Sequence, residues 1–225
     1  MQIREYITKY DSLASEDTLF EIPLRKEYVL SKIGRGKRVL DVGCLGGKIS
    51  QLIMNEGNEV WGVEVNPVAA AQAQLKGIRV KVADVEDGLP FEDGFFDFVN
   101  AGEIVEHLYD TKFFFKESYR VLKKNGVLLF TTPNLNSLEN RVRVMFGGYL
   151  SMIGAYPEDH FGDHIRVLNH KKIQELCNQT SFELLDLSGV PYIQSGGEFL
   201  DHLSKKMGKA FPNFSKLLMV TAKKV

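Results

Sequence analysis

VLDVGCLGGKIS, residues 39–50, predicts a buried strand, a tight turn and the first turns of a helix in direct succession. Glycines at positions 43, 46 and 47 permit backbone dihedrals that other residues avoid, and they leave room for a ligand against the main chain. The unpaired amides at the start of the helix attract an anionic group, either a carboxylate or a phosphate. The segment therefore predicts a ligand-binding turn at the end of a strand.

Strands and helices alternate through the first two thirds of the chain. Segments rich in β-branched and apolar residues are separated by segments with helical periodicity and by turn residues such as Gly57-Asn58. The predicted strands cover residues 39–41, 59–64, 78–83, 95–101 and 127–131, and the predicted helices cover 48–56, 67–75 and 111–124. This alternation predicts an α/β fold with a doubly wound parallel sheet and helices on both faces. Residues 182–187 and 216–222 are predicted as an antiparallel hairpin at the sheet edge.

Acidic residues lie at the ends of four predicted strands. They are Asp41, Glu64, Asp84 and Glu103. The carboxyl ends of parallel strands lie along one edge of a doubly wound sheet, and ligands bind there. We therefore expect the four acids at the ligand-binding edge.

The composition favours a single domain that acts on small molecules. The chain has 225 residues, of which 44% are hydrophobic and 25% are charged. The two cysteines, Cys44 and Cys177, exclude a disulfide framework and a zinc site made of cysteines. The polar N-terminus does not resemble a secretory signal, so we expect a cytoplasmic protein. A formal net charge of −1 gives no reason to expect a nucleic-acid partner.

The single domain, residues 1–225, is expected to carry two additions. Residues 1–34 are predicted as an N-terminal helical cover over one edge of the sheet. Residues 138–170 lose the regular alternation and contain many glycine and aromatic residues, which predicts a lid-like insertion over the pocket. Apolar residues between Leu138 and Leu150 are expected to pack on the core, and contact with a membrane surface for a lipidic substrate is the minority alternative.

Four segments together resemble the class I S-adenosylmethionine (SAM) dependent methyltransferases. They follow one another in order between Val39 and Asn134, and they are VLDVGCLGGKIS, VWGVEVNP, VADVEDGLPFEDGFFDFVNAGEIVEHL and RVLKKNGVLLFTTPN. The resemblance implies a Rossmann-like, seven-stranded sheet in an α/β/α sandwich, with the last strand antiparallel. It also implies SAM as the cofactor.

The resemblance implies a role in cofactor binding for residues at the strand ends. The loop amides would bind the methionine carboxylate of SAM, and Asp41 would orient the loop and the ammonium group. Glu64 would accept both ribose hydroxyls, Asp84 and the amide after it would contact the adenine, and the carbonyls at the end of the fourth strand would accept from the ammonium. The implied residues are Asp41, Gly43, Cys44, Gly46, Gly47, Glu64, Val65, Asp84, Val85, Ala101 and Gly102.

One position departs from the family pattern. The middle glycine of the usual GxGxG is Leu45, which puts a side chain near the turn. A dinucleotide is the rival cofactor, because dehydrogenases also have a glycine loop after the first strand and an acid after the second. Asp41 ahead of Gly43, together with the third acid Asp84, favours SAM. An NAD-linked oxidoreductase is the alternative enzyme.

The segment EIVEHL contains the candidate reaction centre. Glu103, Glu106 and His107 have the spacing i, i+3 and i+4, so a helical turn would put them on one face. Similar E-x-x-E-H sequences occur in ubiquinone-pathway O-methyltransferases and RNA 2′-O-methyltransferases, where the resemblance implies a divalent metal completed by a later histidine, here His160 or His164. The residues leave three interpretations open: a capping acid pair, His107 as a base or substrate contact, and a metal site. We assign His107 and Glu103 as catalytic and assign no metal.

The expected activity is methyl transfer from SAM to a hydroxyl oxygen of a small molecule. The transfer needs mainly positioning, but a phenol with a pKa of about 10 also needs a base or a Lewis acid at neutral pH. A carboxylate acceptor needs neither. A catalytic His107 therefore predicts a hydroxyl acceptor. A non-catalytic scaffold that binds SAM is the alternative outside the enzymes.

Overall fold

The computed structural model describes residues 23–150, 164–166, 168–190 and 206–225. The first 22 residues of the predicted cover lie outside the described residues. The same is true of residues 151–163 of the predicted insertion, which include His160.

A seven-stranded sheet forms the centre of the molecule. Its strands are β1 (Arg38–Val42), β2 (Glu59–Glu64), β3 (Arg79–Val82), β4 (Phe96–Gly102), β5 (Leu122–Pro133), β6 (Phe182–Val190) and β7 (Leu217–Lys224). The α-helices are α1 (Pro23–Ile33), α2 (Lys48–Asn55), α3 (Pro67–Leu75), α4 (Thr111–Val121), α5 (Leu138–Met145) and α6 (His170–Gln179). Residues 206–210 are also helical. Single 3₁₀ turns cover Val85–Asp87, Val105–His107 and Pro212–Phe214.

The strand order is β3-β2-β1-β4-β5-β7-β6. Neighbouring strands from β3 to β5 are parallel, whereas β7 runs antiparallel to both β5 and β6. The predicted Rossmann-like α/β fold with an antiparallel last strand is confirmed. The strand order reverses between β1 and β4, and ligands of doubly wound sheets bind outside the carboxyl ends of the strands at such a point.

Helices cover both faces of the sheet. Apolar residues of α4 and α6 pack on one face, where Phe114, Phe115 and Ile173 are fully buried. Residues of α1, α2 and α3 pack on the other face with Val39 and Leu129. The described part of the predicted N-terminal cover, α1, therefore packs against this face of the sheet.

Two polar contacts attach α1 to the antiparallel end of the sheet. The Tyr28 hydroxyl lies 2.6 Å from Thr221 Oγ1 on β7, and Lys32 Nζ lies 2.7 Å from Asp186 Oδ2 on β6. Burial raises the pKa of the Tyr28 phenol, so the hydroxyl remains neutral and contributes a hydrogen bond inside the fold.

The predicted helix over 111–124 is too long at its C-terminal end. The helix ends at Val121, and β5 begins at Leu122, which pairs with Phe96 of β4. Lys123 Nζ lies 2.8 Å from Asp97 Oδ1, so the pairing of β4 with β5 also satisfies a charged pair. Pairing between strands outweighs the helical propensity of the two lysines here.

The apolar side of α5 does not pack on the core as expected. Leu138, Met145 and Phe146 have 52%, 70% and 79% of their surface exposed. The buried residue of this helix is Asn140, whose Nδ2 lies 3.4 Å from the carbonyl oxygen of Asn134 and 3.3 Å from that of Leu135. Hydrogen bonds to the end of β5 therefore set the orientation of the helix.

No helix within the described ranges combines the length and the hydropathy that a membrane span requires.

Candidate functional site

The glycine loop between β1 and α2 folds with three residues in the left-handed region. Gly43, Leu45 and Gly47 have φ angles of 64°, 47° and 78°. A Cβ atom at Gly43 would collide with Ile104 Cδ1, so this position has no room for a side chain. Leu45, the departure from the family pattern, adopts the left-handed conformation at a cost of about 1–2 kcal/mol. The loop keeps its turn although the middle glycine is missing.

Glu64 at the end of β2 stabilises the strained loop. Its Oε2 accepts the amide of Leu45 at 2.9 Å, and its Oε1 accepts the amide of Asn66 at 2.9 Å. Burial raises the pKa of the Glu64 carboxyl, although these amides, together with that of Val65, lower it. Glu64 therefore has two effects: it fixes the turn and puts a carboxylate beside it.

Asp41 on β1 is buried and connects three elements. Ser50 Oγ of α2 donates to Asp41 Oδ2 at 2.5 Å, and Asn100 Nδ2 of β4 donates to Asp41 Oδ1 at 2.7 Å. The contacts orient the start of α2, which carries the loop amides, relative to the end of β4. Ser50 and Asn100 were not foreseen as partners of Asp41 because neither has a local sequence signal.

The adenine-side residues predicted at the end of β3 are more open to solvent. The exposed Asp84 caps the 3₁₀ turn that follows it, since its Oδ1 accepts the Glu86 amide at 2.9 Å. Val85 in this turn is half-buried. At the end of β4, Ala101 is buried and Gly102 is half-buried beside β5. Since all these positions lie at or just after the carboxyl ends of parallel strands, they share this edge of the sheet with Asp41 and Glu64.

An arginine that sequence analysis missed holds the loop after Asp84. Arg120 on α4 makes two contacts with Glu117, with Nε–Oε1 and Nη2–Oε2 distances of 2.8 and 2.7 Å. The same guanidinium donates to the carbonyl oxygens of Phe91 and Leu89 at 2.8 and 2.7 Å. The hydrogen bond from Arg120 lowers the pKa of Glu117. The only sequence signal was a charged pair three residues apart on a predicted helix.

The EIVEHL segment does not form the predicted helical face. Glu103 follows β4 with a φ of 56°, and only Val105–His107 forms a 3₁₀ turn. Thr131 Oγ1 donates to Glu103 Oε1 at 2.7 Å. The expectation that Glu103 shares a face with Glu106 and His107 is wrong, because the left-handed residue breaks the helical spacing.

Glu106, His107 and His164 form the cluster that the structure does bring together. One ligand atom of each residue lies within 4.8 Å of the others, and the two imidazole rings meet edge to face with centroids 4.7 Å apart. Glu106 is fully buried, with Thr132 Oγ1 at 3.3 Å from its Oε2. We call these three residues the acid–imidazole cluster.

The backbone of Glu106 explains why a distant histidine reaches the cluster. Its carbonyl oxygen accepts the amides of Ile165 and Arg166 at 3.0 and 2.9 Å. These bonds hold the returning chain against the 3₁₀ turn, so His164 meets His107. One carboxylate and two imidazoles are donors that suit a divalent transition metal or zinc, so the cluster fits the metal that the resemblance implies.

Comparisons with known proteins show similarity to methyltransferases in sequence and in fold. Residues 40–130 match a family model described as a methyltransferase domain. The ubiquinone biosynthesis O-methyltransferases of Xanthomonas oryzae pv. oryzae (strain PXO99A) and Xanthomonas euvesicatoria pv. vesicatoria (strain 85-10) are similar over 177 residues, with 28% and 29% identity. Each alignment covers 76% of this chain and 73% of the relative.

Solved structures share the fold at low sequence identity. SAM-dependent methyltransferases from Thermotoga maritima and Archaeoglobus fulgidus give TM-scores of 0.68 and 0.63 with 16% and 21% identity. The matches cover 98% and 92% of this chain and 97% and 93% of those chains. The cyclase SpnF also matches, with a TM-score of 0.62 and 20% identity over 88% of this chain and 80% of that chain.

Residues 40–130 are therefore similar to a methyltransferase domain, and the described fold is shared with solved SAM-dependent methyltransferases, which together indicate SAM as the cofactor. This similarity favours SAM over the dinucleotide that the glycine loop also allowed.

Proposed function

We propose that this protein transfers the methyl group of SAM to a hydroxyl oxygen of a small molecule. The observation that carries the proposal is the acid–imidazole cluster, which follows β4 at the carboxyl edge of the sheet. The similarity to enzymes named as O-methyltransferases supports the same acceptor atom.

The cofactor is proposed to bind along the strand ends. The amides of the loop and of the start of α2 that do not donate to Val63, Cys44 or Glu64 bind its carboxylate. Glu64 accepts the ribose hydroxyls, and the turn after Asp84 receives the adenine. Asp41 is proposed to act through the loop, since Ser50 and Asn100 already donate to its carboxylate. The full proposed set is Asp41, Gly43, Cys44, Gly46, Gly47, Glu64, Val65, Asp84, Val85, Ala101 and Gly102.

The acid–imidazole cluster is proposed to prepare the hydroxyl for attack. A neutral hydroxyl is a poor nucleophile, and removal of its proton near pH 7 requires a base or a cation. His107 accepts the proton at an imidazole nitrogen, and the buried Glu106 stabilises the resulting positive charge. A divalent metal, when bound, would be held by Glu106, His107 and His164 and would lower the pKa of the acceptor hydroxyl.

Glu103 is proposed as a second residue at the reaction centre. Glu103 directly follows β4, so in sequence it lies between the proposed cofactor-binding residues at the end of that strand and the acid–imidazole cluster. Thr131 donates a hydrogen bond to one of the Glu103 carboxylate oxygens. The Glu103 carboxylate is suited to orient a polar group of the acceptor or the ammonium of the cofactor.

The experiment compares His107→Ala with His170→Ala on a panel of phenols, alcohols and carboxylic acids. His170 is the matched control, because it is an exposed histidine at the start of α6. We expect His107→Ala to lower kcat/KM for hydroxyl acceptors by about 10²–10⁴-fold and His170→Ala to leave it unchanged. Metal analysis of the purified protein and of His164→Ala distinguishes the base from the metal-assisted form.

Two results would contradict the proposal. Undiminished hydroxyl methylation by His107→Ala would remove the link between the cluster and the acceptor. Tight binding of S-adenosylhomocysteine without turnover over the whole panel would favour the scaffold alternative, and the match to the cyclase SpnF shows that this fold also occurs in a protein named for another reaction.

A further inference from the structure

Hydrogen bonds connect the adenine side of the proposed cofactor site with the loop after His107. Asp84 Oδ1 accepts the amide of Glu86, so the two acids belong to one turn. The Glu86 carboxylate leaves that turn and accepts the amides of Tyr109 and Asp110, with distances of 2.5 Å to Oε1 and 3.4 Å to Oε2. The loop that precedes α4 is thereby attached to the turn after β3.

The same loop is held from its other side by Arg166. Arg166 Nη2 donates to the carbonyl oxygen of Tyr109 at 2.8 Å, while its backbone amide donates to the carbonyl oxygen of Glu106 at 2.9 Å. Arg166 therefore contacts the chain both before and after His107. His164, which meets the His107 ring, lies two positions before Arg166 in the same segment.

The side-chain contacts of Glu86 and Arg166 are charge-assisted, which makes them stronger than bonds between neutral groups. The Glu86 carboxylate also lies at the N-terminal end of α4, where the helix dipole favours a negative charge. A displacement of the turn after Asp84 should therefore be transmitted to Tyr109 and from there to the returning segment.

We propose that Glu86 and Arg166 are positioning residues that couple adenosine binding to the arrangement of the acid–imidazole cluster through the backbone of Tyr109. The inference rests on the proposed function, since it requires the adenine to bind at Asp84 and Val85. Coupling between two sites is reciprocal, so an ordered cluster also strengthens cofactor binding.

The test uses adenosine, which contains the adenine and the ribose but lacks the methionine part that would approach His107. NMR follows the imidazole signals of His107 and His164 in the full chain, assigned by single histidine substitutions, while calorimetry measures adenosine and S-adenosylhomocysteine affinity. In the wild type, saturating adenosine should shift both signals. In Glu86→Ala these shifts should fall by at least about half, and the affinity for adenosine should weaken about tenfold.

Asp87→Ala is the matched control, because it removes an exposed carboxylate from the same turn and should behave like the wild type. Arg166→Gln tests the contact of Tyr109 with the returning segment, and it changes an exposed side chain. This variant should also reduce the adenosine-induced shifts of the histidine signals. The test therefore remains decisive if Glu86→Ala fails to fold.

Different results separate the inference from the proposed function. Full histidine shifts and unchanged affinity in both variants would overturn the inference, as would adenosine binding to the wild type without any shift. Absence of binding of both adenosine and S-adenosylhomocysteine to the wild type would instead refute the proposed cofactor site, and the inference would fall with it.

Discussion

Substitution of Gly62 tests how the cofactor loop packs on the sheet. Gly62 lies on β2, opposite Asp41 of β1. A Cβ atom at Gly62 would lie 2.6 Å from Cys44 Sγ, 3.2 Å from Val80 Cγ2 and 3.3 Å from Cys44 Cβ. Carbon atoms pack best at about 3.5–4.0 Å, so the contact with sulfur cannot be accommodated without movement. Either the loop that carries Cys44 or the strand must shift.

The expected cost of Gly62→Ala follows from this overlap. Inserting a methyl group into a packed core costs about 1–3 kcal/mol of unfolding free energy. Cys44→Ala alone should cost about 1 kcal/mol, since it removes one buried atom of methyl size. In the double variant the closest neighbours are side-chain carbons at 3.2 and 3.3 Å, which small movements can accommodate. The second substitution should therefore recover about 1–2 kcal/mol relative to additive behaviour.

Urea denaturation of the wild type, both single variants and the double variant measures this coupling. Gly46→Ala is the matched control for the unfolding free energy alone, because a Cβ atom there mainly meets Gln72 Oε1 at 3.0 Å, the end of a flexible side chain. S-adenosylhomocysteine affinity should fall in Gly62→Ala and partly return in the double variant. Additive free energies within about 0.5 kcal/mol would refute the proposed packing of the loop on β2.

Three further predictions concern ionised groups. Because burial raises the pKa of Glu64, the folded state binds this proton more tightly than the unfolded state. The unfolding free energy of the wild type, relative to that of Glu64→Gln, should therefore fall as the pH rises from the ordinary glutamate pKa to the raised one. If urea titrations at a series of pH values gave a constant difference in unfolding free energy between the two proteins, they would contradict this prediction. Arg120→Ala should cost about 1.5–3 kcal/mol of unfolding free energy. Because the pKa of Glu117 is lowered in the folded protein, the stability that ionised Glu117 contributes in the wild type is lost as the pH falls through this folded-state pKa. Acid titration of the variant should not show this loss of stability. Asp41→Asn should cost more stability and more S-adenosylhomocysteine affinity than Ser50→Ala, because Ser50→Ala removes only one of the two donors to Asp41, Ser50 and Asn100. Equal effects of the two substitutions in calorimetry would refute this ranking.

Much of the fold was predictable because its signals are local. The strand, glycine turn and helix start of residues 39–50 lie within a few neighbours of one another, and Asn66 and Pro67 begin α3 with a side-chain cap and a suitable first residue. The hydrophobic pattern alone predicted the alternating strands and helices, and hence the acids at their ends.

The errors occurred where strand pairing and specific hydrogen bonds override local preference. Pairing of Leu122 with Phe96 ended α4 before the predicted residue, and the left-handed Glu103 separated two acids that helical spacing would have combined. On α5, hydrogen bonds of the single residue Asn140 turned the polar side inward against the apolar pattern. Phe96 is distant from Leu122 in sequence, and the carbonyls that Asn140 contacts are six and five residues away, but hydrophobic periodicity reveals neither kind of contact.

Local residue pattern accounts for the order of the elements and for the ligand turn, since dihedral freedom, capping and periodicity act over one or two turns of chain. The acid–imidazole cluster is different. His164 contacts His107 because two backbone amides of the returning segment donate to the Glu106 carbonyl oxygen. Arg120 donates to the loop after Asp84 because α4 packs beside that loop. Such contacts exist only after the sheet has formed, because only then do the carboxyl ends of its strands lie side by side.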